Sequence, residues 1–174
     1  MRSVRTLVLG GARSGKSAHA EGLVSADEQV TYVATGRRDP GDAAWQARIA
    51  AHVSRRPAHW RTVEAGDLPP VLAAATGTLL VDDIATWLTG ALDDTGAWDG
   101  DLSGARARCE ELVAAVRACP SKIVLVSAEV GLGVVPATPS GRLFRDELGS
   151  LNARLAEVCD EVLLLVAGVP LRLR

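Results

Sequence analysis

Residues 10–17 read GGARSGKS: Gly10, Gly11, Ala12, Arg13, Ser14, Gly15, Lys16 and Ser17. They fit the phosphate-binding pattern G-x-x-x-x-G-K-[S/T], whose chemistry is the handling of phosphoryl groups. Backbone N–H groups of such a loop, at a helix N-terminus, cradle a β-phosphate. Gly10 and Gly15 permit the tight turn and a close backbone approach. Lys16 is expected to reach the β- and γ-phosphates, and the Ser17 hydroxyl to sit on Mg²⁺. A second carboxylate-bearing position completes that chemistry. The apolar run Thr78–Val81 ends in Asp82-Asp83, and Asp82, which directly follows the run, is the expected holder of Mg²⁺ or its water. Arg48, His52 and Arg55 fall at i, i+4 and i+7, sharing a face about 60° wide on a regular helix. A histidine between arginines is placed to meet a polyphosphate; the same pattern also describes a solvated basic face.

These residues need elements to hold them. Thr6–Leu9 reads as a buried strand before the loop and Lys16–Val24 as the helix after it, the context the motif requires. Gln29–Ala34 reads as a second strand ending at Thr35-Gly36, and strand C-terminal ends are where open α/β sheets bind ligands. Asp42 is a plausible N-cap for a helix to about Arg55, with Trp45, Ile49 and Val53 as an apolar stripe and Pro57 beyond its end. Trp60–Glu64 is extended, with Trp60 expected in the core. Leu68–Ala75 is a short helix, Thr78–Asp83 a strand and Ile84–Leu92 a helix. The polar stretch 93–104 reads as a surface excursion. Arg106–Ala118 is an amphipathic helix, Lys122–Ser127 a buried strand and 129–136 a glycine-interrupted loop. A long helix to about Cys159 carries the stripe Phe144, Leu148, Leu151, Leu155 and Val158. Glu161–Ala167 is a last parallel strand, followed by a tail strand over Leu171–Arg174. Alternating strands and helices argue an α/β, P-loop NTPase (RecA-like) three-layer fold, with a mainly parallel sheet flanked by helices.

Composition sets the outer bounds. The 174 residues suit a single domain with a sizeable core, 1–174. With 48% hydrophobic and 23% charged residues and a net charge of −2, there is no electrostatic footprint for nucleic acid. The apolar runs are too short to span a membrane, and Arg2 and Arg5 before a brief apolar run make a poor signal peptide. Cys109, Cys119 and Cys159 have no metal-ligand spacing and read as free thiols of a reducing cytoplasm. His19, one helical turn beyond Lys16, reads as a helix-face residue.

Several stretches together resemble one family. They are GGARSGKS; YVAT at 32–35; R-I-x-x-H at 48–52, with R-P at 56–57 and W-R-T-V-E at 60–64; E-V-G-L-G-V-V-P at 129–136; and R-L-F-R-D-E-L-G-S-L-N at 142–152. The family is the bifunctional adenosylcobinamide kinase/adenosylcobinamide-phosphate guanylyltransferases of cobalamin biosynthesis, and the resemblance runs end to end. It implies that ATP or GTP phosphorylates adenosylcobinamide. GTP then gives GMP to adenosylcobinamide phosphate through a GMP-histidine intermediate, releasing pyrophosphate. The matching histidine is His52. Nucleotide contacts carry over to Gly10–Ser17; to Ala34, Thr35 and Gly36; to Val53, Ser54, Arg55 and Arg56; and to Glu64 and Asp82. The catalytic residues so implied are His52 and Lys16, with Ser17 and Asp82 toward Mg²⁺. Glu64 would pair with the guanine edge or a ribose hydroxyl. The family is typically trimeric. The chain departs from the family pattern at Asp42-Ala43-Ala44-Trp45, at Ala128 in place of asparagine, and at Asp82-Asp83. Two rival readings are a guanylyltransferase that has lost its kinase step and a RecA-like nucleotide switch without covalent chemistry.

Overall fold

The computed structural model describes residues 3–37, 41–54 and 56–174; of Trp45, Arg48 and His52 it describes the backbone alone. In chain order the elements are β1 (Arg5–Gly10), α1 (Lys16–Gly22), β2 (Val30–Ala34), α2 (Ala43–Ser54), β3 (Arg61–Glu64), α3 (Leu68–Ala73) and β4 (Thr78–Asp82). They continue with α4 (Ile84–Thr95), a single 3-10 turn (Ala97–Asp99), α5 (Ser103–Ala118), β5 (Ile123–Ala128), α6 (Pro139–Val158), β6 (Glu161–Val166) and β7 (Val169–Arg172). One seven-stranded sheet has the order β3-β2-β4-β5-β1-β6-β7. Its first six strands in the chain pair in parallel, and only β7 runs antiparallel, against β6. The expected three-layer α/β architecture is therefore present.

The alternation of side chains along each strand divides the core in two. On one face Leu7, Leu9, Val33, Leu79, Val81, Ile123 and Leu125 pack under α3, α4, α5 and α6. On the other, Val8, Val30, Tyr32, Leu80, Val124 and Val126 meet Ala20 of α1 and Trp60. Strands covered on both faces are continuous apolar runs for that reason. The α6 stripe is buried at Leu148, Leu151, Leu155 and Val158, with Phe144 half-buried. All three cysteines are buried and free.

One expectation needs correction. The stretch 93–104 is not one surface excursion. α4 continues through Asp93 and Asp94 to Thr95, where left-handed Gly96 ends it, and α5 begins already at Ser103. Polar side chains satisfy this corner locally. Trp98 Nε1 donates to Asp93 at 2.6 Å, the Ser103 N–H and hydroxyl both donate to Asp101 Oδ1, and Ala97 is fully buried. Turn-forming residues here cap helices instead of spacing them apart. On α2, Val53 of the apolar stripe is 52% exposed and Ile49 half-buried, while the Trp45 side chain lies outside the described residues.

Candidate active site at the C-terminal edge of the sheet

The phosphate loop is built as its sequence requires. β1 delivers Gly10 to the sheet edge, and Gly15 takes a left-handed φ of 87° before α1. Arg13 is also left-handed, at φ 57°. The Ser14 N–H bonds the Gly11 carbonyl at 3.3 Å, and the His19 N–H bonds that of Gly15 at 2.9 Å. A Cβ on Gly10 would overlap Ser14 Oγ and lie 3.2 Å from the Leu165 carbonyl. The turn between β6 and β7 braces the loop from behind, with the Gly168 N–H on the Ser14 carbonyl at 2.9 Å. Lys16 Nζ donates to the Gly11 carbonyl at 3.3 Å, arched over its own loop. The Ser14 hydroxyl is buried with no partner among the described residues, a donor available inside a loop of this type. His19, on α1, is half-buried.

Strand register brings the second half of the site to the same edge. Ala34 of β2 pairs with Glu64 of β3 on one side and Asp82 of β4 on the other. In-register residues of parallel strands share a face, so Glu64, Ala34 and Asp82 form one row. That row lies on the face that α1 covers, because Leu80, two residues before Asp82, packs with Ala20. The row below it is Thr62, Tyr32 and Leu80 by the same register. Tyr32 is 2% exposed, and its hydroxyl donates to Asp82 Oδ2 at 2.7 Å. Burial, reinforced by the Asp82 charge, pushes the phenol pKa far up, so Tyr32 acts here as a donor.

The two adjacent aspartates divide their work. Asp83 accepts from the Thr86 N–H at 2.6 Å and caps α4. Burial raises its pKa, opposed by that N–H, while the neighbouring Asp82 raises it further and Lys16 lowers it. Asp82 lies on the α1 face with Tyr32. Thr35 locks the pair in place: its hydroxyl donates to the Asp83 carbonyl at 2.7 Å and accepts from the Asp83 N–H at 3.0 Å. It is buried, and its hydroxyl serves the backbone. Gly36 follows it at the edge. Carboxylate and hydroxyl oxygens, Asp82 and Ser17, are the hard donors Mg²⁺ takes, and Mg²⁺ commonly uses only one or two protein ligands beside phosphate and water.

The segment around His52 reaches this edge through Arg56. α2 ends at Ser54, and the Arg56 guanidinium stacks on the Tyr32 ring, 3.3 Å from its centroid. Its Nη1 donates to Thr62 Oγ1 at 3.3 Å. Arg56 Nε is buried without a hydrogen-bond partner, and no carboxylate among the described residues pairs with this charge. Ahead of α2, Arg37 holds Asp94 at 2.5 Å and the Gly90 carbonyl at 3.4 Å. His52 lies on α2 two residues before its end at Ser54; its side chain, that of Arg48, and Arg55 altogether fall outside the described residues. Val53 and Ser54 are exposed.

The sequence did not single out Tyr32 or Asn152. An aromatic two residues before a strand's ligand-binding end was the available signal for Tyr32. Asn152 was legible as a polar residue beside the α6 stripe. It is 4% exposed, accepts from Ser127 Oγ at 2.6 Å and donates to the Ala128 carbonyl at 3.0 Å.

Several known proteins are similar to this chain over nearly its whole length. The family described as "Cobinamide kinase / cobinamide phosphate guanyltransferase" matches residues 6–173. The bifunctional adenosylcobalamin biosynthesis protein CobP of Pseudomonas aeruginosa is 43% identical over 98% of both chains. The corresponding CobU proteins are 41% identical in Salmonella typhimurium and 39% in Escherichia coli K12, each over 97% of this chain and 98% of theirs. At the level of fold alone, the chain is similar to a prototypical ATPase from the type III secretion system of pathogenic bacteria. That likeness has a TM-score of 0.52 and 13% identity, over 94% of this chain and 51% of the other. A phosphate loop, a strand-end aspartate and near full-length kinship of this order lead to one assignment: the chain belongs to the cobinamide kinase/cobinamide phosphate guanyltransferase family.

Proposed function

We propose that this chain is a bifunctional enzyme that phosphorylates adenosylcobinamide with ATP or GTP and then joins GMP from GTP to the product. The observation that supports it best is the meeting of two kinds of machinery at one sheet edge. The phosphate loop and Asp82 arrive from β1 and β4, and the segment after His52 arrives through Arg56 on Tyr32.

In the first reaction the substrate hydroxyl oxygen bonds to the γ-phosphorus as the bond to the leaving nucleoside diphosphate breaks. The hydroxyl proton passes to Asp82 or to a nearby carboxylate. Such transfers ask chiefly for positioning and charge neutralisation. Gly10–Ser17 bind the phosphates, and Lys16 swings from the Gly11 carbonyl to them. Mg²⁺ held by Ser17 and Asp82 would neutralise charge on the β- and γ-phosphates.

In the second reaction a neutral His52 nitrogen bonds to the α-phosphorus and pyrophosphate departs. An oxygen of adenosylcobinamide phosphate then displaces the histidine, giving adenosylcobinamide-GDP and restoring the imidazole. One difficult displacement becomes two easier ones. Histidine suits this near neutral pH, because its unperturbed pKa is about 6.5. Arg48, Arg55 and Arg56 would meet the phosphates from the α2 side. Ala34, Thr35, Gly36, Val53, Ser54 and Glu64 would line the nucleoside, with Thr35 acting through the backbone it locks. The whole chain acts as one catalytic domain. A homotrimer is the expected assembly, testable by light scattering, and a cytoplasmic setting fits the reduced, buried thiols.

The test uses Mg²⁺ and GTP labelled at either the α- or the γ-phosphate. Acid-labile, base-stable label on denatured protein is expected from the α-phosphate only, and none in His52→Ala. No α-label, or label that survives loss of His52, overturns the covalent step. Retention of cobinamide phosphorylation in His52→Ala would separate the two reactions.

A further inference from the structure

We propose that Tyr32 is a positioning residue serving both halves of the site: its hydroxyl orients Asp82 and its ring stations Arg56. The geometry carries both parts. Tyr32 lies in the core at 2% exposure, fixed by β3 and β4 on either side. Its hydroxyl reaches Asp82 Oδ2 at 2.7 Å. Its ring face carries the Arg56 guanidinium at 3.3 Å, and Thr62, its in-register neighbour on β3, receives Arg56 Nη1. A guanidinium over an aromatic face is favourable and directional, more so when water is excluded. Arg56 keeps a buried, unpartnered Nε and no carboxylate among the described residues. A half-buried cation so arranged is costly unless an anion completes it. The anion that fits is a phosphate of the nucleotide at the adjoining row, one register step above. One rigid ring thus sets the distance between a carboxylate reached from β4 and a cation reached from α2. Without it, each would have its own freedom.

This inference rests on the reading of the edge as a nucleotide site, and its test separates the two. Binding of a non-hydrolysable GTP analogue is measured by calorimetry, with and without Mg²⁺, for wild type, Tyr32→Phe and Tyr32→Leu, with thermal unfolding of each. Tyr32→Phe keeps the platform and removes the hydroxyl that holds Asp82 Oδ2. The Mg²⁺ concentration for half-maximal tightening of binding is expected to rise about fivefold or more, with Mg²⁺-free affinity unchanged. Tyr32→Leu also removes the platform, and Mg²⁺-free affinity is expected to fall about tenfold or more. If Tyr32→Leu does not fold, Arg56→Lys replaces it, leaving the core intact and weakening only the stacked, forked contact. Tyr32→Phe indistinguishable from wild type in its Mg²⁺ response overturns the first half. Mg²⁺-free affinity unchanged in Tyr32→Leu, or in the Arg56→Lys that replaces it, overturns the second. Variants whose two constants move by one common factor indicate general loosening and overturn both. Wild type that binds no GTP analogue at all refutes the underlying site reading instead.

Discussion

The phosphate loop and α2 both serve the sheet edge, yet they are built in opposite ways. The loop is fixed on every side: β1 in front, α1 behind, the Gly168 N–H on the Ser14 carbonyl, and a Gly10 position with no room for a methyl group. α2 has no buried side chain among its described residues; it is flanked by Arg37 on Asp94 and Arg56 on Tyr32. The loop must present N–H groups preorganised before phosphate arrives, since preorganised donors cost no rearrangement during reaction. On the proposed function α2 has a different task, carrying His52 as a nucleophile to be loaded and unloaded, and its described side chains draw little stability from the core. The contrast teaches that one active site can combine a part whose geometry is set by folding with a part set by a few polar anchors.

The largest effect should come from chemistry that reports burial directly. Burial raises the Cys109 thiol to about 11 and that of Cys159 to about 12. A raised pKa keeps the thiol neutral, so nucleophilic thiolate is scarce at pH 8 and grows only as pH climbs toward those values. Native protein should therefore react with a disulfide reagent orders of magnitude more slowly than a cysteine placed at exposed Ala51 of α2. Full release of three thiols is expected only after unfolding. Fast reaction of native thiols would break the picture of a closed body beside an open helix.

Next in size is Gly10→Ala. The new methyl would overlap Ser14 Oγ and press on the Leu165 carbonyl. Overpacking of this kind costs about 1–3 kcal/mol. If that strain falls on the phosphate-binding form of the loop, nucleotide affinity drops about 5- to 150-fold, read by calorimetry with GTP. Unchanged affinity would mean that the loop is not preorganised as described. Asn152→Leu tests the body under the loop. It leaves Ser127 Oγ and the Ala128 carbonyl without their partner. The expected cost is about 1–3 kcal/mol of unfolding free energy, measured by denaturant titration.

The same contrast explains which parts of the fold are legible in the sequence. The loop, its strand and its helix are encoded within a short stretch, where glycine spacing and apolar runs carry the information. Thr78–Asp82 was legible for the same reason, as was Trp60 as core. What the sequence does not display is register. That Glu64, Ala34 and Asp82 form a row depends on pairings between β3, β2 and β4 that lie far apart in the chain. Tyr32 escaped notice because its partners, Asp82 and Arg56, are joined to it only by that register. The apolar period on α2 reveals the helix, but not how far Val53 and Ile49 are covered, since that depends on another element. The 93–104 stretch misled because Asp and Gly serve helix caps as readily as loops.

The smallest expected effect lies on α2 itself. Val53 is more than half exposed, so Val53→Ala removes little that folding had buried. Alanine also favours the helix over a β-branched residue by a few tenths of a kcal/mol. The two tendencies offset, and the change in unfolding free energy should stay within about 0.5 kcal/mol, the range of surface substitutions. The measurement is denaturant unfolding of the whole chain, with the α-phosphate labelling of His52 followed in parallel. A stability loss above about 1 kcal/mol would place Val53 against a surface in solution, either the body of its own chain or a second copy. Dilution distinguishes these, because only the second makes the loss depend on protein concentration. A silent stability result with altered labelling would sharpen the contrast most: it would show α2 as a helix whose packing serves the nucleotide and contributes little to the fold.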